Sequence, residues 1–467
     1  MIFDYGRFRG ELEKINDWWL TNRVREARLY ALKRKHFGTL IQQLEQPRIS
    51  LLAGPRRAGK SVLLKQAIQE LIQTGRNSRN ILYYSLDDPS LSAYSDNVMK
   101  DLLDYFLENI AVEGKKYVFF DEVHLFDDWY RWMKSFYDRR QDIKFVITGS
   151  SSLNLQRDAN AFLRGRMDEI EMFPLDFHEF ARFYGFDPPA ISIDELDVWD
   201  EHEIRRVRND FQEVFREYIV VGGFPEWFEV KKQREAKLRW FSLLVNDIPK
   251  KAIFEDIATL YNIRNPKILE QVFAFIAAHQ SRILSYETVN DVAKLDRATL
   301  INYIEFLKAS YLIVEVLKFA GIKEQLKAKK KYLIVDQGLR NAVLKEYEVR
   351  EDNAGFILEN VVGLHLYFSG REKGRKLYYI RVNVDGEVDF VWAEEEGKKN
   401  REVIPVEVKF QARIEKKDIK NILRFMDKED LRMAYVITKD VYKKEEVGGR
   451  ALHFVPAEVF LLGSTSD

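Results

Sequence analysis

The chain has 467 residues, more than one hydrophobic core usually holds, so two to four domains are expected. Lys plus Arg and Asp plus Glu both number 74, which argues against a globally basic nucleic-acid binder and confines any such surface to a local patch. The absence of cysteine excludes disulfides, thiolate zinc sites and cysteine nucleophiles, and with the many ion-pairing and aromatic residues it fits a thermophile.

With 46% hydrophobic and 32% charged residues, and no apolar run near the roughly 18 residues of a membrane span, the composition reads as soluble, folded and without a membrane partner. Residues 1–47 read as an amphipathic helical segment whose charged start lacks the apolar centre of a secretory signal, so a cytoplasmic location is expected. From Ile49 short apolar strands alternate with helices: "ISLLA", a helix from Ser61, "ILYYSL", a helix from Leu91, "YVFFD", a helix around Trp129, "KFVITG" and "EIEMF". That alternation predicts an α/β unit with a parallel sheet over 48–175. A helical stretch follows over 176–265, broken by "GGFP" at Gly222 to Pro225. Residues 266–353 read as three short helices and a two-stranded wing, and 354–467 as helix, three strands, helix and strand.

Gly54, Pro55, Arg56, Arg57, Ala58, Gly59, Lys60 and Ser61 spell "GPRRAGKS", which fits G-x-x-x-x-G-K-[ST] between an apolar strand and a helix. Backbone N–H groups of such a loop can wrap the phosphates of ATP, with Lys60 neutralising the terminal phosphates and Ser61 ligating Mg2+. At the end of "YVFFDE", Asp121 is placed to supply the magnesium carboxylate and Glu122 to polarise an attacking water. Ser150, with Thr148 behind it, is placed to sense the third phosphate, although serine after glycine also forms ordinary turns. In "LRGRM", Arg166 is an arginine-finger candidate beside Arg164, with a surface ion pair as the alternative; a finger acting in trans implies a homo-oligomer.

The order GPRRAGKS, FFDE, TGSSS, LRGR, FPLDFHEF and VGGFPEW resembles the prokaryotic AAA+-like ATPases that carry a C-terminal domain of unknown function with a restriction-endonuclease-like core. The resemblance runs from about residue 35 to 460. It implies a five-stranded P-loop sheet, a helical lid, a winged helix and a nuclease-like α/β domain.

In the middle segment, Leu300, Tyr303, Ile304 and Leu307 form a core stripe, which leaves Arg297, Thr299, Asn302 and Glu305 to face a groove. That face is poor in positive charge, so base reading is not supported. Phosphate contacts to DNA fall instead to Lys323, Lys327, Lys329, Lys330 and Lys331 in "GIKEQLKAKKK", for which a solvated loop is the alternative.

In the C-terminal segment, Glu387, Asp389 and Val391 share one strand face, and Glu407, Lys409 and Gln411 share one face of "PVEVKFQ". On neighbouring strands, Asp389 and Glu407 can hold a hard divalent cation, with Glu359 closing the site from a helix and Lys409 activating a water. A cross-strand ion pair is the plainer alternative. The element order resembles the PD-(D/E)xK nucleases, whose motif Asp389, Glu407, Lys409 and Glu359 match, with Val388 in place of the motif's proline. The expectation is an ATPase coupling nucleotide turnover to DNA binding or magnesium-dependent cleavage. The alternative is a nucleotide-controlled signalling or assembly switch whose C-terminal domains bind protein.

Overall fold

The computed structural model describes residues 5–25, 29–88, 97–126, 128–150, 163–189, 191–192, 200–382, 386–394, 401–411 and 413–464. Its backbone divides into two compact units, residues 1–173 with 309–311, and residues 174–308 with 312–467. The helix expected from Leu91 begins, among described residues, at Val98, and Asp385, Ser151 and Ser152 lie outside them.

The first unit is built on five strands: β1 (Ile49–Ala53), β2 (Ile81–Ser85), β3 (Lys116–Asp121), β4 (Ile143–Gly149) and β5 (Met167–Glu171). They pair in parallel in the order β2-β3-β4-β1-β5. Every residue of β1 and β4 is buried, including Ser50, Lys144 and Thr148, which is why both read as mostly apolar rather than alternating. Parallel pairing brings the C-terminal ends of β1, β3 and β4 to one edge, where ligands of such sheets bind. The outer strand β2 is covered by the N-terminal helices. The indoles of Trp18 and Trp19 both donate to the Ile81 carbonyl, at 3.1 and 2.7 Å, and the Asn16 side chain accepts from the Tyr83 N–H at 2.7 Å. These contacts satisfy an edge that would otherwise template pairing with another chain.

In the second unit a helix spans Glu201–Val221 and starts in a capping box, Asp200 accepting from Glu203 N–H and Glu203 from Asp200 N–H. It stops at Gly222, whose φ of 79° ends the helical path. "GGFP" is therefore more than a break. Asp336, N-cap of the helix Gln337–Leu344, accepts from Leu339 N–H at 2.8 Å and from Gly223 N–H at 2.6 Å, tying the two segments together.

Burial pushes the Asp336 carboxyl up to about 6 against these backbone donors. A carboxyl raised in the fold contributes stability that is complete below its unfolded value near 4 and is lost as pH rises through about 6. From pH 4 to 7 that loss is about 2 kcal/mol. In Asp336→Asn this contribution should vanish, so wild type should lose that amount of stability relative to the variant across the interval in denaturation curves; a constant difference would contradict it.

Helices Pro266–Ala278, Tyr286–Ala293 and Arg297–Ala309 precede β8 (Ile313–Lys318) and β9 (Lys330–Ile334). Two-residue strands stand at β6 (Ile191–Ser192) and β7 (Ile283–Leu284). The C-terminal part adds a helix, Glu351–Lys373, then β10 (Arg375–Arg381), β11 (Glu387–Glu394), β12 (Val403–Lys409), a helix Lys420–Lys428 and β13 (Met433–Thr438). Beyond the expected order come β14 (Lys443–Val447), β15 (Arg450–Pro456), a helix Ala457–Leu462 and β16 (Gly463–Ser464).

Pairing joins these parts into one sheet, β14-β15-β13-β12-β11-β10-β8-β9-β7. The join is parallel pairing of β8 with β10, Tyr378 opposite Leu317 and Tyr379 opposite Lys318. The hairpin read as a two-stranded wing is thus part of the same sheet as the C-terminal strands.

Candidate functional site

The loop of residues 54–61 is shaped by close backbone approach. At Gly54, with φ of 149°, a Cβ would lie 1.9 Å from the Met172 carbonyl oxygen, so only glycine fits against the end of β5. Arg57 and Gly59 also have positive φ, 65° and 96°, and turn the chain into the helix Lys60–Gln73. The Lys60 ammonium crosses the loop, donating to Gly54 O at 2.9 Å and Pro55 O at 3.0 Å. Arg34, buried, donates to Ala58 O at 2.6 Å and to Phe173 O at 2.8 Å, fixing the loop to the strand behind it. No local pattern in the sequence marks that arginine, because its partners are carbonyls 24 and 139 residues away.

Asp121 ends β3 with 1% of its surface exposed, and both its oxygens are held. Tyr83 donates to Oδ2 at 2.8 Å and the Thr148 hydroxyl donates to Oδ1, while Thr148 accepts from Glu122 N–H at 3.0 Å. Burial and the charge of Asp121 raise the Tyr83 phenol well above its ordinary value, so it remains a donor. Glu122 sits in the left-handed region, φ 54° and ψ 44°, a conformation that costs a non-glycine residue about 1–3 kcal/mol and turns its side chain off the strand. Burial raises its pKa, and the charges of Lys60 and Arg56 oppose that rise.

His124 links the remaining groups. Its Nδ1 lies 3.3 Å from Glu122 Oε2 and its Nε2 lies 3.2 Å from Ser150 Oγ. The phosphate-sensing expectation for Ser150 thus meets a buried hydroxyl bonded to His124, and Thr148 rather than Ser150 touches Asp121. Arg166 pairs with Asp138 of the same chain at 3.0 Å, and Arg164 is exposed.

In the second unit, Asp389 and Glu407 lie on the neighbouring strands β11 and β12 and are both buried. Asp389 Oδ2 accepts from Val408 N–H at 2.8 Å, and Glu407 Oε1 accepts from Lys409 at 2.6 Å. Among the described residues, the trio with ligand atoms within 4.8 Å of one another is Glu359, Glu387 and Asp389. Glu407 is outside that trio, and Glu387, on the same strand face as Asp389, takes the place expected for it. Burial lifts Glu359 to about 8 against the charge of Lys331; burial and the charge of Asp389 lift Glu407 to about 8 against Lys409.

The wing lysines divide between strand and loop. Lys330 and Lys331 are on β9 and buried, with Lys330 donating to Gln325 O, so neither is a loop cation available to DNA. Lys331 reaches Glu359 Oε1 at 2.8 Å, Glu387 Oε1 at 3.3 Å and Asp389 O at 3.1 Å. Asn360 sets this contact by reading the β9 backbone, accepting from Ile334 N–H at 2.9 Å and donating to Ile334 O at 3.1 Å. Burial pulls the Lys331 ammonium down, but the charges of Glu359, Glu387 and Asp389 outweigh it and hold its pKa above the ordinary lysine value.

Residues 46–181 match the family described as AAA domain. Over those residues, which hold the five-stranded parallel sheet and the phosphate loop, the chain is similar to AAA-type P-loop domains. Residues 212–349 and 354–457 match two domains of unknown function, DUF8612 and DUF4143. An uncharacterized protein of Haemophilus influenzae is 26% identical over 426 residues, 89% of this chain and 95% of that one. An uncharacterized protein of Methanocaldococcus jannaschii, MJ1544, is 27% identical over 364 residues, 77% and 74% of the two chains. Among solved structures, the Walker-type ATPase PABY2304 of Pyrococcus abyssi aligns with a TM-score of 0.45 at 17% identity, over 69% of this chain and 98% of that one. No helix of the described residues is long and apolar enough to cross a membrane.

Proposed function

We propose that the chain hydrolyses ATP with magnesium in its first unit and uses the nucleotide state as a switch on protein binding by its second. The observation that carries the ATPase reading is Asp121, buried at a strand end with both oxygens oriented by Tyr83 and Thr148, beside a loop carrying Lys60. Oxygen donors suit magnesium, and Ser61 with Asp121 would hold it. When bound, the ion supplies neutralisation of phosphate charge. The chain's own groups do the rest: helix N–H groups and Lys60 bind phosphate, and Glu122 orients and deprotonates water.

The switch reading is supported by the surface of the helix Ile322–Lys327, where Ile322 is 68% and Leu326 77% exposed, one helical turn apart. Apolar side chains presented together suit a protein partner better than a phosphate backbone. A second reading, DNA engagement through backbone contacts, is favoured by Lys323 and Lys327, exposed on the same helix. Cleavage is not part of that reading, because Lys331 already holds Glu359 and Glu387 beside Asp389.

ATPase measurements with and without duplex and single-stranded DNA across a salt series separate the two. The switch reading expects turnover unchanged by DNA. Stimulation that fades steeply with salt would favour the DNA reading instead.

A further inference from the structure

The C-terminal carboxylates lie where a divalent cation is expected, yet the structure already supplies a cation. Lys331 is wholly buried and its ammonium has three N–H donors. All three are matched, by Glu359 Oε1, Glu387 Oε1 and the Asp389 carbonyl. The Phe390 ring, centred 5.1 Å from the nitrogen, backs the ammonium with its electron-rich face. Both carboxylates it binds, Glu359 and Glu387, belong to the trio that would ligate a metal, so ion and ammonium would contend for the same groups. A divalent ion placed there would also meet a positive charge that burial withdraws from bulk solvent, where like-charge repulsion is strong. The residues therefore do not fit a divalent metal while Lys331 is in place.

We propose that Lys331 is the resident cation of the C-terminal cluster, and that the wild-type chain takes no divalent metal at Glu359, Glu387 and Asp389. The lysine comes from the hairpin β8–β9 and its partners from the helix Glu351–Lys373 and from β11. The cluster thus works as an ionic staple between the hairpin and the C-terminal strands. Lys409 and Glu407 pair separately at 2.6 Å and are not needed for it. The inference rests on this geometry alone, so failure of the ATPase reading would leave it untouched.

The test is a Mn2+ titration of the nucleotide-free full chain, followed by electron paramagnetic resonance, in wild type, Asp389→Ala, Lys331→Met and Lys331→Met/Asp389→Ala. Background binding at the P-loop is common to all four. Wild type and Asp389→Ala should titrate alike. Lys331→Met should gain one site at least tenfold tighter than any in wild type, and the double variant should lose it. A wild-type site that Asp389→Ala removes would overturn the proposal, as would Lys331→Met folding normally without gaining a site. If Lys331→Met fails to fold, the wild-type and Asp389→Ala titrations decide alone.

Discussion

Glu122→Gln is expected to bind ATP with wild-type affinity and to hydrolyse it about 10²–10⁴-fold more slowly, the range for loss of a general base. The side chain is the same size and the amide still hydrogen-bonds, so what is removed is the negative charge and with it the capacity to accept a proton. The backbone at Glu122 should be unchanged, because Thr148 fixes it through the N–H rather than the carboxylate. Binding by fluorescent nucleotide and single-turnover hydrolysis separate the two effects. Lys60→Ala is the contrasting variant, since it removes the positive charge at the phosphates and should fail already at binding. Wild-type hydrolysis in Glu122→Gln would remove Glu122 from the mechanism and leave a nucleotide-binding scaffold.

The nucleotide site was legible in the sequence because its information is local. Eight consecutive residues carry the phosphate loop, and Asp121 and Thr148 end apolar strands that parallel pairing must bring to one edge. His124 and Arg34 were not legible, since each acts through atoms that only the assembled sheet brings near. In the C-terminal unit, the strand faces of Asp389, Glu407 and Lys409 followed from two-residue alternation. Lys331 was misplaced because "KAKKK" reads as a basic loop. Alternation alone does not resolve it, because both faces of β9 are buried; the signal is the apolar run Tyr332, Leu333 and Ile334, which makes Lys330 and Lys331 part of a buried strand. A lysine forced inward predicts acidic partners, and Glu359, Glu387 and Asp389 provide the charge.

Gly338→Ala is expected to destabilise the second unit by about 3 kcal/mol, the upper end of what overpacking costs. A Cβ at Gly338 would lie 2.0 Å from the Val221 carbonyl oxygen and 2.7 Å from the Gly222 nitrogen. Both are backbone atoms, so no rotamer change relieves the contact; the helix Gln337–Leu344 must move away from the end of the helix Glu201–Val221. That movement breaks more than packing. Asn341 donates to the Ile219 and Val220 carbonyls at 3.1 and 2.9 Å, satisfying acceptors that a helix end otherwise leaves orphaned, and Asp336 would lose Gly223. Gly355→Ala is the control, for a Cβ there meets nothing within 4 Å and alanine favours the helix by up to about 1 kcal/mol. Urea denaturation should show the midpoint falling in Gly338→Ala and holding or rising in Gly355→Ala. Equal midpoints for Gly338→Ala and wild type would mean that the junction at Gly222 and Asp336 yields without cost, and that the two helices are not locked by backbone contact.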